Sequence, residues 1–132
     1  MELFKHPYYT FVYDPERKVL SFNWTAETAS MQVHDFQEAL HAFAGFAFDH
    51  PVRGLLIDLR QLRFRPPASL GYWRDEAISP RYVKAGVKRL AYIAAPGLLE
   101  QMRSAPDEYR DRRGFEEGYF ASEAEALGWL GS

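Results

Sequence analysis

The chain has 132 residues, 16 of them basic and 18 acidic, which leaves a net charge of −2, and it contains no cysteine. That length fits one domain, residues 1–132, which buries roughly two-thirds of its unfolded surface. The balanced charge argues against a nucleic-acid binder, which gathers a basic surplus on one face. Without cysteine, disulfides, thiolate catalysis and cysteine-ligated metal sites are excluded. The opening Met1-Glu2-Leu3-Phe4-Lys5-His6-Pro7 lacks the apolar core of a signal peptide, and no stretch approaches the ~20 apolar residues of a membrane span. A cytoplasmic protein is expected.

Residues Tyr8 to Tyr13 and Val19 to Trp24 are rich in aromatic and β-branched types, with Leu20, Phe22 and Trp24 alternating onto one face. Asp14-Pro15-Glu16-Arg17 between them is turn chemistry, so the two form an antiparallel hairpin. A helix follows, capped by Thr28 or Ser30, with Val33, Phe36, Leu40 and Phe43 as its buried stripe. Gly45 and Asp49-His50-Pro51 end it. Gly54-Leu55-Leu56-Ile57-Asp58 is a short apolar run, as expected of a central strand covered on both faces. It leads into a basic loop that Pro66-Pro67 keeps from becoming helical. Ser69 is placed to cap a second helix carrying Leu70, Trp73, Ala77 and Ile78, and Ser79-Pro80 to restart a helical turn. Lys88 to Ala94 is another buried strand, and Leu98, Leu99 and Met102 mark a third, short helix. The polar stretch from Ser104 to Gly114 reads as an exposed loop. Gly118-Tyr119-Phe120 is a last strand, and Ser122 with Glu125 forms a capping box for the final helix. The expected fold is α/β, in the order β-β-α-β-α-β-α-β-α. It has a mixed sheet of four to five strands, in which an antiparallel hairpin precedes parallel crossovers.

In this order the segments resemble the STAS fold of the anti-sigma-factor antagonists, and a family of small bacterial STAS-like proteins of unknown function. The resemblance rests on Trp24, on Leu55 to Arg60, and on Trp73 with Glu76 and Pro80. Ala85 to Ala91 and Phe120 to Leu130 complete it. It implies a non-catalytic interaction module, dimeric, with a protein partner. The antagonists are switched by phosphorylation of a serine at the start of the second helix. Ungapped alignment puts Ala68 at that serine and Ser69 one place later, with Pro66-Pro67 replacing the Asp-Ser that precedes it.

Asp58 and Arg60 at the carboxyl end of the central strand, with Arg63 and Arg65, form a candidate anchor for an anion or an acidic surface. The alternative is local pairing of Asp58 and solvated arginines. Ser69 and Trp73 complete the candidate set. His34, Glu38 and His41 share a helical face, but no His-Glu-x-x-His motif accompanies them, so they read as the polar side of an amphipathic helix rather than a metal site. Ten phenylalanines, eight tyrosines and three tryptophans are the most unusual feature. Phe43, Phe46, Phe48, Phe64, Tyr72, Trp73 and Tyr82 pack the core, cover a dimer surface or line an apolar pocket like that of the lipid-binding CRAL-TRIO proteins. No nucleophile elbow, Walker loop or Gly-rich dinucleotide turn is present, so neither an enzyme nor a cofactor is expected. Two functions remain in view: an interaction module acting through residues 60–69, and a carrier of a small apolar or anionic ligand.

Overall fold

The computed structural model describes residues 1–107 and 112–132. Six strands form one sheet in sequence order: β1 (Glu2–His6), β2 (Tyr9–Asp14), β3 (Val19–Trp24), β4 (Gly54–Asp58), β5 (Arg89–Ile93) and β6 (Glu116–Phe120). β1 to β3 pair antiparallel, and β3 to β6 pair parallel. The α/β class, the hairpin and the parallel crossovers are as expected; the strand number is larger. The additional strand is β1, a mostly exposed edge ribbon whose register with β2 shifts between Glu2 and Phe4. Pairing with β2, rather than any alternation of its own, makes it a strand.

Among the described residues five helices cover the sheet: α1 (Val33–Asp49), α2 (Ser69–Ala77), α3 (Ser79–Lys84), α4 (Pro96–Ser104) and α5 (Glu123–Leu130). Alternation along the strands sorts the core into two layers. Phe11, Leu20, Phe22, Leu55, Ile57, Leu90 and Tyr92 face one side, packed with Leu40, Phe43 and Ala47 of α1, Ile78, and Tyr82 of α3. Val19, Leu56, Ala91 and Ile93 face the other, beneath Ala126 of α5. Gly118 lets α5 approach, since a Cβ there would lie 2.8 Å from the Phe120 ring and 3.1 Å from Trp129.

The helix starts differ from the expected ones. α1 is capped at Gln32, whose N–H donates to the Asp35 carboxylate at 2.9 Å, and Val33 is exposed, so the buried stripe begins at Phe36. Thr28 lies instead in a 3-10 turn, Ala26–Ser30, that precedes α1. Gly45 lies inside α1, which continues to Asp49. Ser69 and Ser79 are the first helical residues rather than caps, the cap positions being Ala68 and Ile78. At α5, Ser122 accepts from Glu125 N–H at 3.2 Å, but the glutamate accepts from the serine hydroxyl rather than from its backbone. Residues 108–111 of the expected loop lie outside the described residues; Arg113, expected to be exposed, is buried.

Phe22 touches Phe11, Phe43 and Trp24 at ring separations of 4.3–5.0 Å and has no solvent exposure. Phe22→Ala is expected to cost ~3–5 kcal/mol in urea denaturation. Phe48, 66% exposed on α1, is the control: Phe48→Ala is expected to shift stability by no more than ~0.5 kcal/mol.

Candidate functional site

Parallel strands end together, and the groups beyond their carboxyl ends surround a common space. Here Trp24, Ile57 and Tyr92, from β3, β4 and β5, form the floor of an open cleft of about 690 Å³. Its walls are Phe36 and Leu40 of α1, the 59–66 loop, and Leu98 and Met102 of α4; Arg74 of α2 and Tyr82 of α3 line it as well. The volume lies within the range of small-molecule sites, roughly 300–1,000 Å³, and the lining is predominantly apolar.

The loop is held in place by three kinds of contact. Leu59 N–H donates to the Ile93 carbonyl at 2.8 Å, extending the β4–β5 ladder by one bond. Arg63 N–H donates to the buried Thr28 hydroxyl at 2.8 Å, and that hydroxyl donates onward to the Thr25 carbonyl at 2.7 Å. The Phe36 ring stacks on Trp24 at 5.5 Å, nearly parallel, and meets Phe64 at 5.6 Å. One continuous run of aromatic contact therefore joins β3, α1 and the loop.

The expected site residues divide between the two sides of the sheet. Asp58 is in register with Asn23 and Ile93, on the α5 side, and Arg60 folds back on it with Nε–Oδ1 at 3.0 Å and Nη2–Oδ2 at 2.7 Å. This pair is local and lies away from the cleft. Arg63 caps the Arg60 carbonyl at 3.2 Å. Arg65 lines the cleft and makes no ion pair among the described residues. Ser69 is exposed, and its hydroxyl bonds to no described residue. Trp73 is half-buried against His41, ring edge to ring face at 5.4 Å, and is not part of the cleft. Of the aromatic group, Phe64 and Tyr82 reach the cleft, Phe43 is core, and Phe48 and Tyr72 are exposed. Among the described residues no three His, Asp or Glu side chains are arranged to hold a metal ion; His34 lies 3.3 Å from Asp35.

A second polar feature borders the cleft and has no counterpart in the sequence motifs. Arg113, with 6% of its side chain exposed, donates to both Asp75 oxygens at 2.8 and 3.1 Å. Its Nη1 contacts Asp107 at 2.5 Å and lies 2.6 Å from Glu117 Oε1. The last contact is an ion pair without hydrogen-bond alignment, which leaves that buried oxygen unbonded. Burial would raise the Asp75 pKa, but the hydrogen bonds from Arg113 and Ser79 and the Arg74 charge hold it below the ordinary value. For Glu117 burial prevails over the same two cations, and its pKa is raised. Arg74 lines both the cleft and a smaller cavity of about 210 Å³ bordered by Glu117.

No family model matches the chain, and no curated protein matches it. Among solved structures, an anti-sigma-factor antagonist (STAS) domain protein from Planctomyces limnophilus superposes with a TM-score of 0.63. The match covers 94% of this chain and 98% of that one at 15% identity. The fold is that of a STAS domain. At that identity the likeness is one of architecture, and the cleft chemistry is this chain's own.

Removing Arg113 leaves Asp75 buried without its main partner. Arg113→Ala is expected to cost ~3–5 kcal/mol near neutral pH. A depressed folded-state pKa contributes stability above the unfolded value that is lost as pH falls through the folded one. The deficit of the variant against the parent, followed by urea denaturation from about pH 7 to about pH 3, should therefore shrink as Asp75 protonates in both.

Proposed function

We propose that this chain is a non-catalytic STAS-like regulatory module whose cleft takes an elongated apolar small molecule and whose basic loop reports occupancy to a protein partner. The observation that carries this reading is the double role of residues 59–66. Leu59, Leu62 and Phe64 form a wall of the cleft, while Arg63 and Arg65 of the same stretch are exposed. A ligand packed against Phe64 alters the surface that displays the arginines. The cleft lining includes no carboxylate, histidine or serine among the described residues, which supports binding rather than acid–base or nucleophilic chemistry. No described helix is long and apolar enough to cross a membrane. A cytoplasmic setting and assembly as a homodimer belong to the same reading. The exposed rings of Phe4 on β1 and Phe48 on α1 are apolar surface that self-association would cover.

A carrier that acts without a protein partner is the second reading, favoured by the size and apolarity of the cleft. Two variants separate the readings. Leu98, 40% exposed on the cleft wall, has room for a larger side chain directed into the cleft. Leu98→Trp is expected to weaken binding of the neutral apolar dye Nile red at least ~10-fold, the worth of about 1.4 kcal/mol of lost contact, with an unchanged melting temperature. Arg63→Glu, on the exposed side of the loop and outside the cleft lining, is expected to leave dye binding intact while abolishing partner capture and dissociating any homodimer seen in native mass spectrometry. Unchanged assembly and unchanged partners would remove the module reading and leave the carrier.

A further inference from the structure

We propose that the amino-terminal end of the parallel strands is a peripheral docking face for an anionic lipid surface, held by a row of cations and by the exposed ring of Phe48. The cleft lies at the opposite ends of the same strands, so this face is independent of what occupies it.

Val19, Gly54 and Arg89 open β3, β4 and β5 in register, and the residue before each of them is a cation. The three are neighbours through the backbone. Arg53 N–H donates to the Lys18 carbonyl at 2.8 Å, and Lys88 N–H donates to the Arg53 carbonyl at 2.8 Å. Adjacent strands lie ~4.8 Å apart, so Lys18, Arg53 and Lys88 form a row roughly 10 Å long. All three are exposed, and none makes an ion pair or side-chain hydrogen bond among the described residues. Like charges on neighbouring strands are destabilising. Lys18 adds backbone strain: with φ at 57°, it alone among the described residues other than glycine lies in the left-handed region. Glycine or asparagine occupies that region at less cost. Neither feature stabilises the fold, and a surface kept cationic for a partner explains both.

The surrounding charge does not cancel the row. Arg17 is paired with Asp14 at 3.0 Å. Arg89 is held by Glu116 at 3.6 Å and by the Trp129 and Ser132 carbonyls at 2.6 and 2.9 Å. Arg81 and Lys84 of α3 make no ion pair among the described residues, although Arg81 donates to His41 Nδ1 at 3.1 Å. The carboxylates of this end outside ion pairs are Glu16 in the β2–β3 turn, Asp49 closing α1, and Glu2 on β1, two strands from β3. Five cations therefore stand against three carboxylates: Lys18, Arg53, Arg81, Lys84 and Lys88 against Glu2, Glu16 and Asp49.

Residues 50–53 alone link α1 to β4, so the last turn of α1 lies at this end and carries Phe48 there. The ring is 66% exposed and lines, with Gly45, Asp49, Arg81 and Lys84, a groove of about 370 Å³. A lipid surface meets both features at once. Its anionic headgroups attract basic side chains, and the headgroup boundary takes up an aromatic ring. A nucleic acid matches the cations but offers Phe48 no apolar layer, and a straight row brackets no small anion from two sides. Docked this way, the protein holds the cleft and residues 59–66 away from the membrane, open to a protein partner. Lipid then covers Phe48 in place of a second copy.

The test is cosedimentation of the full chain with vesicles of phosphatidylcholine alone, and of phosphatidylcholine with phosphatidylserine at about 3:1. The parent is expected to bind the anionic vesicles at least ~10-fold more tightly, and to lose that preference between about 0.05 M and about 0.5 M salt. Lys18→Gly removes one cation and the strain together. It is expected to weaken anionic-vesicle binding ~3- to 5-fold without lowering the melting temperature, a combination that a merely structural lysine would not give. Combined Lys18→Gln, Arg53→Gln and Lys88→Gln should abolish the preference, and Phe48→Ala should weaken binding at least ~3-fold. Equal binding to both vesicles, or none to either, overturns the proposal. An unaltered preference in the triple variant does so too, by assigning the vesicle to another surface such as the arginine loop. Tighter binding to a duplex DNA oligonucleotide or to polyglutamate than to the anionic vesicles replaces lipid by a nucleic acid or an acidic protein, and likewise overturns it. The vesicle and salt comparisons need no variant, so a misfolded substitution does not blunt the test.

Discussion

β4 is paired in parallel on both sides, and the rest of the molecule is arranged around that constraint. Leu55 and Ile57 must be covered from one face and Leu56 from the other, because successive side chains of a strand point to opposite faces and all three are apolar. Parallel neighbours require crossovers. α1 and the pair α2–α3 provide them on the first face, while α5 returns to cover the second. The same constraint makes the cleft. Three strands running the same way stop at the same level, and the chain leaving β4 must turn aside before α2 can begin. Pro66 and Pro67 keep that exit extended, so it forms a wall rather than another helical turn.

The ionic cluster answers a different need, at the β6 edge of the sheet. The register Leu90↔Glu117 directs Glu117 to the same face as the main core, where a carboxylate is costly without partners. Arg113 meets Asp75, Asp107 and Glu117 at once and ties α2 to the β6 edge. An inward-facing charge on an edge strand also discourages pairing with another sheet.

The legible parts of the sequence were those whose cause is local. Alternation in Val19 to Trp24 and the apolar run of Gly54–Asp58 state their own burial, and the aromatic run of β2 and the apolar run of β5 do the same, while only Gly118 to Phe120 of β6 reads as strand. β1 was not legible, because Glu2 and Lys5 are exposed and the strand exists through its partner. Arg113 sits in a charged stretch that by itself implies exposure, and its partner Asp75 is 38 residues away. Asp58 and Arg60 lie at the carboxyl end of β4, the edge their place in the sequence implies. One residue's difference in register places them on the α5 face while Ile57 and Leu59 face the cleft. The cleft itself draws on β3, β4, β5, four helices and the loop, and no linear pattern brings those together.

The departure at the start of α2 bears on how such a domain would be regulated. A phosphorylation switch needs an accessible hydroxyl and a surrounding surface that responds to added charge. Here the position aligned with the antagonists' serine is Ala68, while Ser69 is exposed and its hydroxyl bonds to no described residue. The residues just before it, Phe64 to Pro66, are instead occupied in forming a cleft. A ligand there touches the same loop from inside that a phosphate would touch from outside. Under the proposed reading, the side chains through which a ligand would move that surface are those of the loop that line the cleft, Phe64 and Arg65, rather than the hydroxyl at the helix start.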